Sequence, residues 1–143
     1  MIAVDTNVLA RFYVDDETDP EAEVQRPAAR AVLERADAVF IPVTVVLELE
    51  WVTRALYDFG PDEFAGVVEH LVGLPNVTVE DWTAVLDALK LHRDGLDFAD
   101  ALHLVRSSRC DRFLTFDDRR FARRAARLGT TPPVEVPDPV PAG

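Results

Sequence analysis

Short apolar runs alternate with longer segments of helical periodicity along almost the whole chain. Ile2, Ala3 and Val4 lead straight into Asp5-Thr6-Asn7, and Val8, Leu9 and Phe12 follow at helical spacing. This is the pattern of a strand running into a capped helix over 7–14. A second helix is expected over 21–36, where Val24, Ala28, Ala31, Val32 and Arg35 recur on one face, with Pro27 as a place for a break or a later start. Residues 38–41 read as a buried strand, and Pro42 and Thr44 open a third helix over 43–59. Gly60-Pro61 ends that helix and starts a fourth over 62–72, because proline suits a first helical turn. A third strand is expected over 76–79, a helix over 82–92 capped by Asp81, and a helix over 97–109. A fourth strand over 112–116 precedes a last helix through Leu128 capped by Asp118, and 134–136 reads as a fifth, marginal strand. Such alternation predicts an α/β fold with a central parallel sheet of four to five strands and helices on both faces. No repeat or linker divides the chain, so one domain is expected over 1–136, with a Pro-rich tail over 137–143.

The first strand is expected to be central. Asp5 then falls at its carboxyl end, the edge where open α/β sheets bind ligands. Three other acids stand in comparable places. Glu48, in the third helix, has Thr44, Val45, Trp51 and Val52 three and four positions away. It is therefore expected on an apolar face with no basic partner, whereas Glu50 has Arg54 at i+4, the spacing of an ordinary surface pair. Asp97 and Asp100 open one helix. Asp97 fits an N-cap and Asp100 the reciprocal acid of a capping box, and a helix N-terminus beside a strand edge is also where a site is built. Asp117 follows Phe113-Leu114-Thr115-Phe116 and repeats the arrangement at Asp5.

The chain has 143 residues, 48% of them hydrophobic and 29% charged, a globular rather than a disordered composition. Its net charge of −11 argues against a nucleic-acid partner. That objection weakens if the acids hold divalent cations, which invert the local charge. Clustered carboxylates with only oxygen donors select Mg²⁺ or Mn²⁺ over zinc, and no His or Cys spacing for zinc exists. Phosphate-binding glycine loops and a Ser-His-Asp order are also missing. His70 and His92 fall near helix C-termini, His103 is expected as a packed helix residue, and Trp51 and Trp82 as core or interface. Cys110, the single cysteine, is expected to be small and buried, and rules out an internal disulfide. With no basic segment before Asp5 and no apolar run long enough to span a bilayer, the cytoplasm is the expected location and no membrane partner is expected. In the last helix Arg119, Arg120, Arg123, Arg124 and Arg127 share one side, opposite Phe121, Ala125 and Leu128. That side is a solvated face or a phosphate contact, with Arg119, Arg120 and Arg123 the candidates for that contact.

Four fragments together carry a family resemblance. They are Val4-Asp5-Thr6-Asn7-Val8-Leu9, Val43-Thr44-Val45-Val46-Leu47-Glu48, Phe98-Ala99-Asp100-Ala101-Leu102-His103 and Leu114-Thr115-Phe116-Asp117. In this order and at this length the chain resembles PIN domains, and within them the VapC-type toxins of toxin–antitoxin pairs. The resemblance implies a Mg²⁺- or Mn²⁺-dependent endoribonuclease in which Asp5, Glu48, Asp100 and Asp117 are the catalytic acids. Asp5, Asp100 and Asp117, joined by Asp97, would hold metal, and Thr6, Asn7 and Thr115 would support them. Water-driven hydrolysis would leave a 3′-hydroxyl and a 5′-phosphate. The resemblance further implies a homodimer and a cognate antitoxin whose C-terminal segment lies across the site. A receiver-like domain is the rival of another class, but it needs a lysine at a strand end, and the only lysine, Lys90, lies in a helical segment. A pseudo-enzyme that only binds a partner, or an RNA-processing nuclease without an antitoxin, shares the same fold expectation.

Overall fold

In the computed structural model, which describes residues 1–142, residue contacts cluster into two compact units, Met1–Trp82 and Thr83–Gly143. The first unit holds β1 (Ile2–Ala3), α1 (Thr6–Tyr13), α2 (Pro20–Arg35), β2 (Val39–Ile41), α3 (Val43–Tyr57), α4 (Pro61–Gly73) and β3 (Val77–Val79). Its three strands form one parallel ladder in the order β1-β2-β3, with Ile2 opposite Val39 and Val39 opposite Val77. The first strand, expected at the centre, is thus an end strand of this ladder, and β2 is the middle one. Burial follows from that position: Val39 and Ile41 of β2 are fully enclosed, whereas Ile2 is exposed.

The helices of this unit show how far one-dimensional periodicity reaches. Asp19 caps α2, its Oδ1 accepting from the Glu21 N–H at 3.0 Å, with Pro20 in the first turn. The helix then runs through Pro27 without a break. Its buried residues are Ala22, Ala29 and Leu33, not the face read from Val24 and Ala28; Val24 is 77% exposed. In α3 the stripe Val43, Val46, Leu49, Glu50 and Thr53 is buried. At 100° per residue Glu48 falls on the opposite side of that stripe, so it is exposed, while Glu50 is 3% exposed. The expectation for these two acids is reversed. Seven of the ten positions from Val43 to Val52 are apolar, so α3 has two plausible faces and the sequence pattern does not choose between them. The N-terminus of α3 lacks a local side-chain cap; the Glu80 carboxylate, just past β3, accepts from the Val43 N–H at 2.9 Å instead. Asn76 ties the other end of the ladder by donating to the Leu33 and Ala36 carbonyls at 2.9 and 3.0 Å.

Glu50 is held by Arg54, whose Nε lies 2.9 Å from Oε2. The arginine side chain is half exposed, so the pair is buried at its acid end only. Removing Arg54 leaves a buried carboxylate with less compensation than it needs, whereas neutralising Glu50 leaves an arginine that reaches water. Arg54→Ala is expected to lower stability by about 1–3 kcal/mol, and Glu50→Gln by less. Urea unfolding of the two variants checks the order, and equal losses would reject it.

The second unit carries most of α5 (Trp82–Arg93), then α6 (Phe98–Val105), β4 (Phe113–Leu114), a π-helical turn (Asp118–Ala122), α7 (Arg123–Leu128) and β5 (Val134–Glu135). Here α6 stops at Val105, four residues short of the expected end. The fifth strand is real and pairs in parallel with β4, Phe113 opposite Val134. Each strand pairing is therefore parallel within its own ladder, one of three strands and one of two. His92 is buried, its Nδ1 2.7 Å from the Leu96 carbonyl oxygen, which closes the turn through Gly95 at φ +114°. His103 and Cys110 are exposed rather than packed, and Trp51 and Trp82 are half or more exposed rather than in the core. Residues 136–142 carry no helix or strand; Gly143, the last residue of the expected tail, lies outside the described residues. No helix among the described residues is long and apolar enough to cross a membrane.

Candidate active site

In the first unit Asp5 sits between β1 and α1 and is the N-cap of that helix. Its Oδ1 accepts from the Thr6 N–H at 2.7 Å. An acid placed directly after an apolar strand and before a helix has this local role whatever else it does. Asp5, Thr6, Asn7 and Glu48 all line one open cleft of about 290 Å³, together with Ala10, Arg11, Val52, Leu56 and Tyr57. Within this unit, then, the structure brings α1 and α3 acids to one cavity. Thr6 is 4% exposed and its hydroxyl oxygen has no hydrogen-bond partner among the described residues. Buried polar atoms are nearly always satisfied, so an orphan hydroxyl in a cleft with two carboxylates marks a place where a bound group belongs.

Arg11 and Tyr57 were not singled out from the sequence, yet both line this cleft. Arg11 is four residues after Asn7, one helical turn along the same face, which is the signal that identifies it. Its Nη2 is 2.6 Å from Asp19 Oδ2 and its Nε donates to Gln25 Oε1 at 2.9 Å. The Tyr57 hydroxyl donates to Asp16 Oδ2 at 3.2 Å. Burial and the charge of Asp16 push its phenol above the ordinary value, so it remains a donor.

In the second unit three acids interact. Asp97 caps α6, its Oδ1 accepting from the Asp100 N–H at 3.1 Å. Asp100 is half-buried. Burial first, then the negative charges of Asp97 and Asp117, raise its carboxyl above the ordinary range, and His103 opposes them. Asp117 follows β4 and is itself the cap of the last helical segment, its Oδ1 accepting from the Arg120 N–H at 2.9 Å. The cap had been expected at Asp118; Asp118 instead pairs with Arg123 at 3.0 Å. A five-residue spacing suits that pair because the turn is π-helical, with the Arg123 N–H bonded to the Asp118 carbonyl. Such turns occur often at functional sites. Thr115 Oγ1 accepts from the Asp117 N–H at 3.0 Å, which fixes the backbone that carries this acid. Arg119 and Arg120 are exposed, and Arg124 donates to the Gly95 carbonyl at 3.2 Å.

Asp5, Asp97 and Asp117 share one feature. Each gives one carboxylate oxygen to a backbone N–H at a helix start, so a cap and a ligand are compatible in one residue. The donor chemistry fits a hard divalent cation: oxygen only, with a half-buried acid whose carboxyl is raised by burial and by neighbouring negative charge. In geometry, no three His, Cys, Asp or Glu side chains among the described residues are gathered closely enough to hold one.

The profile of the PIN domain family matches residues 2–127, a stretch that includes all five acids, and the chain belongs to that family. PIN domains are in general nucleases, and nuclease chemistry is the class that this family suggests for the chain. A search of curated proteins returns no match to the chain. The receiver-like alternative has no footing in this fold, since Lys90 lies within α5 rather than at a strand end.

Proposed function

We propose that the protein is the toxin of a type II toxin–antitoxin pair, a VapC-like endoribonuclease dependent on Mg²⁺ or Mn²⁺. It would act in the cytoplasm as a homodimer and be silenced by a cognate antitoxin. The observation that carries the nuclease reading is Asp100, held half-buried against the charges of Asp97 and Asp117. Such an arrangement costs stability in an empty protein and is relieved by a cation.

Asp5, Asp100 and Asp117, together with Asp97, are the residues that would hold the ion, and Glu48 would be the further catalytic acid. A divalent ion bound there would supply activated water at neutral pH and neutralise charge on the scissile phosphate. The chain's own part is orientation. The N–H groups of Thr6, Asp100 and Arg120 fix one oxygen each of Asp5, Asp97 and Asp117, so the other oxygen of each would remain for a ligand. Thr115 holds the Asp117 backbone. Asn7 and Thr6 shape the cleft around Asp5 and Glu48. Arg119 and Arg120, both exposed, would meet RNA phosphates; Arg123, paired with Asp118, would contribute less.

Induced expression in a bacterial host tests the toxin role. The wild-type chain is expected to arrest growth and fragment RNA together, and co-expression of a cognate antitoxin, expected as a small DNA-binding protein encoded beside it, is expected to restore both. RNA fragmentation that no neighbouring small protein suppresses would place the chain among RNA-processing nucleases instead. Growth arrest with intact RNA would reject the ribonuclease reading altogether.

A further inference from the structure

The α2 face on which Val24, Ala28 and Val32 recur is open, and it meets α1 at a second depression. Val8 of α1 and Ala28, Ala29 and Val32 of α2 form an aliphatic floor, and Asn7, Arg11 and Gln25 form a polar rim, around about 270 Å³. Asn7 and Arg11 also line the cleft of Asp5 and Glu48. The two cavities therefore adjoin along one turn of α1.

The rim is held in place and is only partly used. Arg11 Nε donates to Gln25 Oε1, and Arg11 Nη2 is tied to Asp19. This orients the Gln25 amide and leaves its NH₂ group without a partner among the described residues. The Asn7 side-chain amide makes no hydrogen bond there either, although it sits where both cavities meet.

We propose that this depression is a nucleobase subsite, which seats one base of the RNA strand next to the phosphate being cut. The proposal rests on the nuclease reading above and names how that site would choose its RNA. Three observations favour a base. The volume lies just below the roughly 300–1,000 Å³ of pockets for drug-sized ligands, the scale of one ring system and not of a protein segment. The floor is small and aliphatic, suited to the flat face of a base, and unpaired RNA bases present their edges for hydrogen bonding. The rim offers two amides, the side chains that pair in bidentate fashion with adenine. Arg11, shared by both cavities, keeps its Nη1 donors for the phosphate that joins the seated base to the reacting one.

The test uses the full chain with fluorescent RNA octamers that differ at one base, at low salt with Ca²⁺, followed by anisotropy. Ala28→Leu fills the depression from an exposed helical position, and Gln25→Ala removes one amide; neither residue belongs to the acid machinery. The wild type is expected to prefer an adenine-containing octamer by on the order of tenfold, the scale of one bidentate base contact. Both variants are expected to lose that preference while their thermal melts stay unchanged. Equal binding of all four octamers by the wild type, or a preference that survives both substitutions, overturns the subsite. Should Ala28→Leu fail to fold, Gln25→Ala decides alone. A change in oligomeric mass for Ala28→Leu with RNA affinity intact makes the depression a protein contact and also overturns it. Cleavage with Mg²⁺ is read separately: its absence in the wild type rejects the nuclease reading, while base preference in binding still decides the subsite.

Discussion

Asp5→Asn abolishes metal-dependent RNA cleavage and leaves the protein folded. The two halves of this expected result have different causes. Asparagine caps a helix as well as aspartate does, and its carbonyl oxygen can accept from the Thr6 N–H as Asp5 Oδ1 does at 2.7 Å. Stability should therefore change by no more than about 0.5 kcal/mol. What asparagine lacks is the negative charge that a divalent ion requires. A contact worth several kcal/mol to the transition state corresponds to a rate loss of about a thousandfold. The measurement is single-turnover cleavage of labelled RNA with Mg²⁺, alongside a thermal melt. Wild-type products should end in a 3′-hydroxyl and a 5′-phosphate. A folded variant that cuts at the wild-type rate removes Asp5 from the site.

Asp100→Asn is expected to be more stable than the wild type in metal-free buffer, by a few degrees in melting temperature, on the order of 1 kcal/mol for a chain of this size. The native protein raises this carboxyl above the ordinary carboxylate range through burial and the charges of Asp97 and Asp117. A group whose native pKa is raised binds its proton more tightly in the folded state. Its contribution to stability is fully present below the ordinary carboxyl pKa and is lost as pH rises through the raised native value. The wild type should thus lose stability across that window and the asparagine variant should lose less. Divalent ion reverses the order, because binding to the native state stabilises the wild type by mass action and not the variant. Melts across pH, with chelator and with Mg²⁺, read both effects. Equal stabilisation of the two proteins by Mg²⁺ would mean that Asp100 is no ligand.

Several features follow from local sequence alone. An apolar run that ends in Asp-Thr-Asn makes a strand and a capped helix because alternation, capping and helical spacing act within a few residues, and Asp5 holds that position in the structure. The same reasoning finds Asp97 as a cap and the basic outer side of the last helix, with Phe121 and Ala125 buried beneath it. The motif order around Asp5, Glu48, Asp100 and Asp117 pointed to the family that the profile identifies over residues 2–127.

Other features were decided only by tertiary structure. Glu48 faces solvent and Glu50 the interior because α3 is apolar on nearly all sides, and packing chose the stripe through Val46 and Leu49. The cap of the last helix moved to Asp117 because a π-helical turn shifts the hydrogen-bond spacing by one residue, which no periodicity announces. Glu80 caps α3 from 37 residues away, a pairing that exists only once β3 lies beside β2. The open face of α2, with Ala28 and Val32 in the floor of the second cavity, has the same origin. Local sequence sets which residues can be helical and which can cap; which face is buried depends on what the rest of the chain packs against it.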